Sequence, residues 1–361
     1  MKNSAEDLIA TSEQAFTGCL LGTAVGDALG LPYEGLSRRR GRRLLGVPDR
    51  FRFLFRRGMF SDDTEHTCMV ANALLLSVDD PDVFEKTLAR QLRYWLASLP
   101  AGIGFATLRA ILRLWLGMPS SKSGLFSAGN GPAMRSAIIG VWTDDIDQMI
   151  ELVSRSTKIT HTDPKANYGA IAVALAARHA ARPIPASSKE YYSQLESCLG
   201  TSAEEFLKLI QDVLASVARG ESTVSYADSI DLQKRVTGYV YHTVPVAIHA
   251  WLSHQDDYRS AVMAVIECGG DTDTTAAIVG GIVGAGTGST GIPPEWISRV
   301  CDWPLTISRI DQLGVSLHLS KTKPLAGSQN HWPHFLKRLL RNGIFTAIVL
   351  FHGIRRLFPP Y

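Results

Sequence analysis

The sequence offers no uninterrupted apolar run near the roughly 18–20 residues that a bilayer span requires; the nearest, Ile344 to Phe351, is far too short, so no transmembrane segment is expected. Cysteine is scarce. Its five copies, Cys19, Cys68, Cys198, Cys268 and Cys301, form no C-x-x-C pair and sit mostly in apolar or Gly-rich segments, which reads as buried thiols in a reducing compartment. A surplus of one charge is also missing: 37 Lys and Arg against 34 Asp and Glu leave +3, too small an excess to make a global field for nucleic acid. Met1 to Phe16 carries Glu6, Asp7 and Glu13 and no apolar core of signal-peptide type, so the expected location is cytoplasmic. Alternating strands with hairpin turns are hard to find, and no fixed-period repeat or low-complexity tract stands out.

What is present is helical. Asp163-Pro164 opens a run through Ala181 as N-cap followed by Pro at the first helical position. Ser202 with Glu205 reads as a capping box for a helix that Gly220 stops. Similar patterns cover Thr64 to Ser77, Pro81 to Leu96, Asp145 to Thr157 and Thr274 to Val283, so the fold class is all-α. Gly18, Gly22, Gly26 and Gly30 recur every fourth residue and line one helix face that another helix could approach closely; a second Gly-rich helix end lies at Gly280, Gly281 and Gly284. Arg182 to Ser197, with Pro183 and Pro185, reads as a loop. The expected organisation is a tail over 1–12, one helical domain over 13–309 and a basic C-terminal extension over 310–361.

Two motifs carry chemistry. Ser61-Asp62-Asp63-Thr64 and Gly269-Gly270-Asp271-Thr272-Asp273-Thr274-Thr275 each stand directly before an apolar helical run. N-capping alone would explain one such residue per helix. Two carboxylates with flanking hydroxyls at two helix starts exceed that need, and if the motifs meet in space their repulsion calls for cations. Oxygen donors without His or Cys favour hard ions, Mg²⁺, Mn²⁺ or Ca²⁺. An EF-hand is excluded, because its sixth and twelfth positions counted from Asp271 would be Ala276 and Ile282.

The ordered set of motifs resembles the ADP-ribosylglycohydrolase family. The matching stretches are Gly22-x-x-x-Gly26-Asp27-Ala28-Leu29-Gly30, the Ser61 motif, Gly129-Asn130-Gly131-x-x-Met134-Arg135, Thr160-His161-x-Asp163-Pro164, and Gly269 to Thr275. The resemblance implies a compact orthogonal helical bundle with a binuclear Mg²⁺ or Mn²⁺ cleft. Carried onto this chain, the metal ligands are Ser61, Asp62, Asp63, Asp271, Asp273 and Thr274. Asp62 and Asp63 form the catalytic core, and Glu34 positions or activates the water. Gly129, Asn130, Gly131 and Arg135 line the ADP-ribose site, with His161 nearby. The implied activity is metal-dependent removal of ADP-ribose from protein side chains, arginine-linked by preference. Its implied partners are ADP-ribose, a modified protein and a cognate ADP-ribosyltransferase. A binding or immunity protein that recognises an ADP-ribosylating toxin or its modified target is the alternative.

Two basic segments fall outside these motifs. Arg38, Arg39, Arg40, Arg42, Arg43, Arg50, Arg52, Arg56 and Arg57 read either as a solvated loop or as a device steering an anionic substrate. The C-terminal segment with Lys337, Arg338, Arg341, Arg355 and Arg356 reads as a last helix over the core, or as a contact for a membrane surface or partner.

Overall fold

Helix prevails along this chain because its apolar residues recur three and four positions apart and many runs begin on a capping side chain. Asp80, Asp145, Asp163, Ser187 and Asp257 each accept a hydrogen bond from an amide in the first turn that follows. The computed structural model describes residues 12–77, 79–322 and 334–358. The expected tail therefore lies outside the described residues except for Ser12, as do 323–333 and 359–361 of the expected extension. Among the described residues there are seventeen α-helices and no strand, the all-α fold expected from the sequence.

The centre of the fold is a pair of helices in backbone contact. The N-terminal helix, Glu13–Gly30, is buried from Ala15 onward. It crosses Thr272–Thr287, the helix that carries the second acidic motif. A Cβ on Gly18, Gly22, Gly26 or Gly30 would run into the carbonyl oxygens of Gly284, Gly280, Ala276 or Thr272 respectively. The every-fourth-residue glycines therefore do what their spacing implies: they let two helices touch without side chains between them. By length and composition Glu13–Tyr33 would pass for a membrane span, contrary to the reading from apolar runs. That apolar character is accounted for by burial, since the whole window lies inside the core.

Several local expectations are corrected. Ser202 does not cap a helix; it lies in a 3-10 turn, Thr201–Ala203, where its hydroxyl bonds to Leu199 O and to the Tyr168 hydroxyl. The helix starts at Glu204 with no side-chain cap, and Glu205 pairs with Lys165 instead. Only the first part of Arg182 to Ser197 is loop, because Ser188–Leu199 is helical under a Ser187 cap. The arginine-rich stretch is only partly a solvated loop, with Arg50, Arg56 and Arg57 exposed outside any helix. It opens with a helix, Arg38–Leu45, and Arg38 inserts between distant segments, bonding to Cys268 O, Leu232 O and the Asp228 carboxylate.

The end of the chain packs on the same body. The expected boundary after Arg309 falls inside the helix Ile307–Thr322, whose Gly314 rests on the backbone of Thr17. The C-terminal helix, Phe335–Arg355, buries its polar side: Arg341 bonds to Asp302 and to Phe60 O, and Asn342 to Ser98 O. Phe345 joins Leu31, Phe53 and Met59 in a small apolar cluster.

The glycine contact predicts a sign that helix propensity alone would get wrong. Alanine is favoured over glycine within a helix by about 1 kcal/mol. At Gly22 the added methyl meets backbone, which cannot move aside, so Gly22→Ala should lose about 1–3 kcal/mol in urea unfolding. An equal or increased midpoint would show that the helices are not in contact.

Candidate active site

Both acidic motifs open into one cleft of about 570 Å³, lined among others by Glu34, Ser61, Asp62, Asp63, Asp271, Asp273 and Thr274. They touch directly: Thr274 Oγ1 donates to Asp63 Oδ2 at 3.3 Å across 211 residues of chain, and Ser61 Oγ donates to the same oxygen at 2.9 Å. Neither motif serves mainly as its own helix cap. Asp271 holds the N-cap position of Thr272–Thr287 without capping it; its carboxylate accepts instead from Asn130 Nδ2 at 2.7 Å.

The first acidic helix, Asp62–Ser77, takes one cap bond from its own motif, Asp63 N donating to Ser61 Oγ at 3.3 Å, and the rest from another element. Asp27, at the heart of the N-terminal helix, accepts from Ser61 N at 2.9 Å, from Thr64 N at 3.1 Å and from Thr64 Oγ1 at 2.6 Å. That side chain assumes the capping task and leaves Asp62 and Asp63 free to face the cleft. In the sequence Asp27 belongs to a Gly-rich motif but points to no role of its own, because a single mid-helix carboxylate has no spacing signature.

Crowding of carboxyl groups sets the electrostatics. Burial first, and then neighbouring acidic charges, push Asp62, Asp63 and Asp273 well above the usual carboxylate range. Burial raises Asp271 too, against bonds led by Asn130, and raises Asp27 to about 7 against the bonds from Thr64 and Ser61. No cationic side chain bonds to any of these five acids among the described contacts. Asp63 Oδ1 and Asp273 Oδ1 are buried with no hydrogen-bond partner. Among the described residues no three Asp, Glu, His or Cys side chains close on one point as a chelating group, so the converging donor set mixes carboxylates with the Ser61 and Thr274 hydroxyls. Two orphaned carboxyl oxygens, with two hydroxyls in the same cleft, are the partners that a hard divalent cation takes, and the residues present fit such an ion.

Glu34 reaches the cleft from a loop that is stitched to the second motif. Gly35 N donates to Gly270 O at 2.7 Å and Gly270 N to Leu36 O at 2.8 Å, while Asp271 N donates to Val236 O. Gly270 has φ of 90°, a conformation that favours glycine, and a Cβ there would strike Val236 O. From the C-terminal helix end, Arg356 donates to the backbone oxygens of Glu34 at 2.9 Å and Pro32 at 2.7 Å. Burial and Asp271 raise the Glu34 carboxyl, and Arg356 opposes them. Phe345 and Val349 supply an apolar wall from the same helix. None of these C-terminal contributions was read from the sequence.

The expected ADP-ribose residues divide. Gly129, Asn130, Gly131 and His161 line the cleft. His161 packs between the two glycines, each of which would press a Cβ toward its ring. Asn130 is also a positioning group, held by Asp271 and Thr243. Arg135 is a correction: it is completely buried behind the cleft and cannot line it. Its guanidinium bonds to Ser156, to the Thr160 hydroxyl at 2.9 Å and to His66 Nδ1. Thr160 Oγ1 in turn bonds to His161 Nδ1 at 2.9 Å, so Arg135 acts through that hydroxyl. Burial drives His161 down to about 3, and the imidazole facing the cleft is neutral.

The chain is similar to known proteins over most of its length. A family model described as ADP-ribosylglycohydrolase matches residues 9–324. A protein of uncharacterised function from Archaeoglobus fulgidus is 32% identical over 302 residues, covering 80% of this chain and 92% of its own. The ADP-ribosyl-[dinitrogen reductase] glycohydrolase of Rhodospirillum rubrum is 25% identical over 293 residues, covering 78% and 89%. A solved structure titled as an ADP-ribosylglycohydrolase-related protein complex superposes with a TM-score of 0.61 at 24% identity, covering 85% of this chain and 98% of that one, a likeness of fold.

The borrowed cap yields a prediction. Asp27→Ala leaves the Ser61 and Thr64 amides and the Thr64 hydroxyl buried without an acceptor, at about 1–3 kcal/mol for an unsatisfied group. Urea unfolding of the variant should show a loss in that range or greater; a stability equal to wild type would mean that the Asp62 helix does not depend on Asp27.

Proposed function

The chain belongs to the ADP-ribosylglycohydrolase family, and from that premise we propose that it hydrolyses the bond between ADP-ribose and a modified protein side chain, with arginine as the favoured acceptor. The observation that carries this reading is the pair of unpartnered buried oxygens, Asp63 Oδ1 and Asp273 Oδ1, in a cleft where two distant acidic motifs meet. The acceptor preference has physical support: an arginine linkage brings a guanidinium, and a cleft rich in carboxylates draws a cationic group in preference to a neutral one.

Ser61, Asp62, Asp63, Asp271, Asp273 and Thr274 are the residues that would hold two Mg²⁺ or Mn²⁺ ions, which when bound supply charge neutralisation and Lewis acidity toward water and ribose hydroxyls. The remaining work belongs to the protein. Hydrolysis joins a water oxygen to the anomeric carbon, breaks the bond to the side-chain nitrogen and returns a proton to that nitrogen. Glu34, with a raised affinity for protons and a loop tied to Gly270, takes the water's proton and releases it to the leaving group. The neutral His161 edge and the amides around Gly129 and Gly131 form the wall offered to the nucleotide, and Asn130 keeps the Asp271 carboxylate aimed inward.

The purified protein incubated with arginine-, serine- and nucleic-acid-linked ADP-ribose should release free ADP-ribose, fastest from arginine and only without EDTA. Release that persists in EDTA would reject the metal, and absence of release from all three would reject the hydrolase. Glu34→Gln should lower kcat by about 10²–10⁴ if Glu34 transfers the proton, with metal binding retained.

Stability carries a second signature. For acids whose folded pKa is raised, the folded state holds more protons between the unfolded value near 4 and the folded value, so stability falls as pH rises through that window. For Asp27 the window ends at about 7. The difference in Tm with and without Mg²⁺ or Mn²⁺ should therefore widen from pH 5 to pH 8. Asp273→Asn should raise the Tm of the metal-free protein and shrink that difference. A difference that does not change with pH would place the ion elsewhere.

A further inference from the structure

The C-terminal helix has its polarity reversed relative to an ordinary surface helix. Arg338, Arg341, Asn342 and His352 face inward and are buried. The outward face carries Leu336, Leu340, Ile344, Phe351 and Ile354, spaced so that all five fall on one side of the helix, and Phe358 follows just past its end. Their exposures run from 45% at Ile344 to 74% at Leu336. At 1.5 Å per residue this stripe is about 30 Å long. A continuous apolar strip of that length is more than a soluble surface ordinarily leaves bare. The whole helix also lies beyond the residues matched by the family model, which end at 324.

We propose that this face docks on an anionic membrane surface, with the helix lying in the plane of the headgroups. Charge selects this occupant. From Phe335 to Phe358 the sequence contains Lys337, Arg338, Arg341, Arg355 and Arg356 and no Asp or Glu. Lys337 and Arg355 are exposed near the two ends of the stripe, where long basic side chains can reach phosphates while the apolar residues enter the acyl boundary. Neighbouring elements extend the pattern. Arg39 and Arg43 of the Arg38–Leu45 helix adjoin Arg356 and Leu357 at the C-terminal end. On the other side Leu54 packs in one cluster with Ile348 and Val349, which sets the loop tip of Phe55, 92% exposed, with Arg56 and Arg57, beside the helix.

A second copy of the chain fits less well. Pairing two such stripes, parallel or antiparallel, sets Lys337 and Arg355 against each other or against themselves, with no acid on either helix to offset them. The stripe is separate from the catalytic carboxylates, so it can be altered without touching them.

Flotation of the full chain with phosphatidylcholine vesicles, with and without phosphatidylglycerol, tests the proposal. Wild type should float with the anionic vesicles and detach as salt rises. Leu340→Glu/Phe351→Glu, at two exposed positions, should abolish flotation while the melting temperature and circular dichroism stay those of wild type. Lys337→Glu/Arg355→Glu should weaken partition into anionic vesicles by about tenfold or more and leave the weak partition into neutral ones unchanged. Wild type that floats with neither vesicle overturns the proposal. So does a dimeric mass in light scattering that Phe351→Glu returns to the monomer, because the stripe would then be a contact between copies.

Discussion

Five carboxyl groups, Asp27, Asp62, Asp63, Asp271 and Asp273, crowd one site without a cationic side chain bonded to any of them among the described residues, and the rest of the structure answers to their mutual repulsion. In such surroundings two charges repel several times more strongly than in water. The fold does not relieve this by ion pairing, as it does for Asp302 with Arg341. It resists it mechanically. The helices that carry Asp27 and Asp273 are locked backbone to backbone through glycines, so neither can swing away without opening the core. Asp27 then ties the Asp62 helix to that pair through amide and hydroxyl bonds, and Asn130 restrains Asp271 from a third segment. An arrangement that costs stability locally is held in place by packing elsewhere, which is the usual relation between a functional site and its scaffold.

The fold class, the close glycine contact and the acidic motifs were legible in the sequence because each is a local pattern: a period, a cap, a run of identical chemistry. What was not legible depends on partners far away in the chain. Asp27 looks like one polar residue in an apolar helix until Ser61 and Thr64 are brought to it. Arg135 carries the charge expected of a phosphate ligand, yet its neighbours Ser156, Thr160 and His66 claim all of it. Arg38 looked solvated because no local spacing points to Asp228 and Cys268 O, roughly two hundred residues on. The Ser202 and Glu205 pattern failed for the opposite reason. The local signal was sound, but a tight turn and the contacts to Tyr168 and Lys165 outcompeted it.

The C-terminal helix joins these two themes. Its inward face is polar because the body beneath presents Asp302, the Phe60 and Phe53 carbonyls and the Ser98 carbonyl, all buried and in need of donors. Satisfying them uses the polar residues of the helix and leaves its apolar residues on the outside. The exposed stripe is thus a consequence of where the polar side is required as well as a surface in its own right.

The same helix end bears on the chemistry through the manner of Arg356's grip. A guanidinium so close to Glu34 could have formed an ion pair with its carboxylate, which would have fixed the loop and also held the proton affinity of the acid down. Arg356 instead bonds to the carbonyl oxygens of Pro32 and Glu34. The loop is anchored through backbone while the carboxyl stays directed to the cleft. There burial and the nearby Asp271 outweigh the arginine's charge and leave its pKa raised. A group that must accept a proton and give it back requires that balance, since an acid quenched by a direct salt bridge accepts protons too weakly. Anchoring by backbone and tuning by neighbours are thereby separated, and the chain obtains the first from its last helix and the second from its acidic motif.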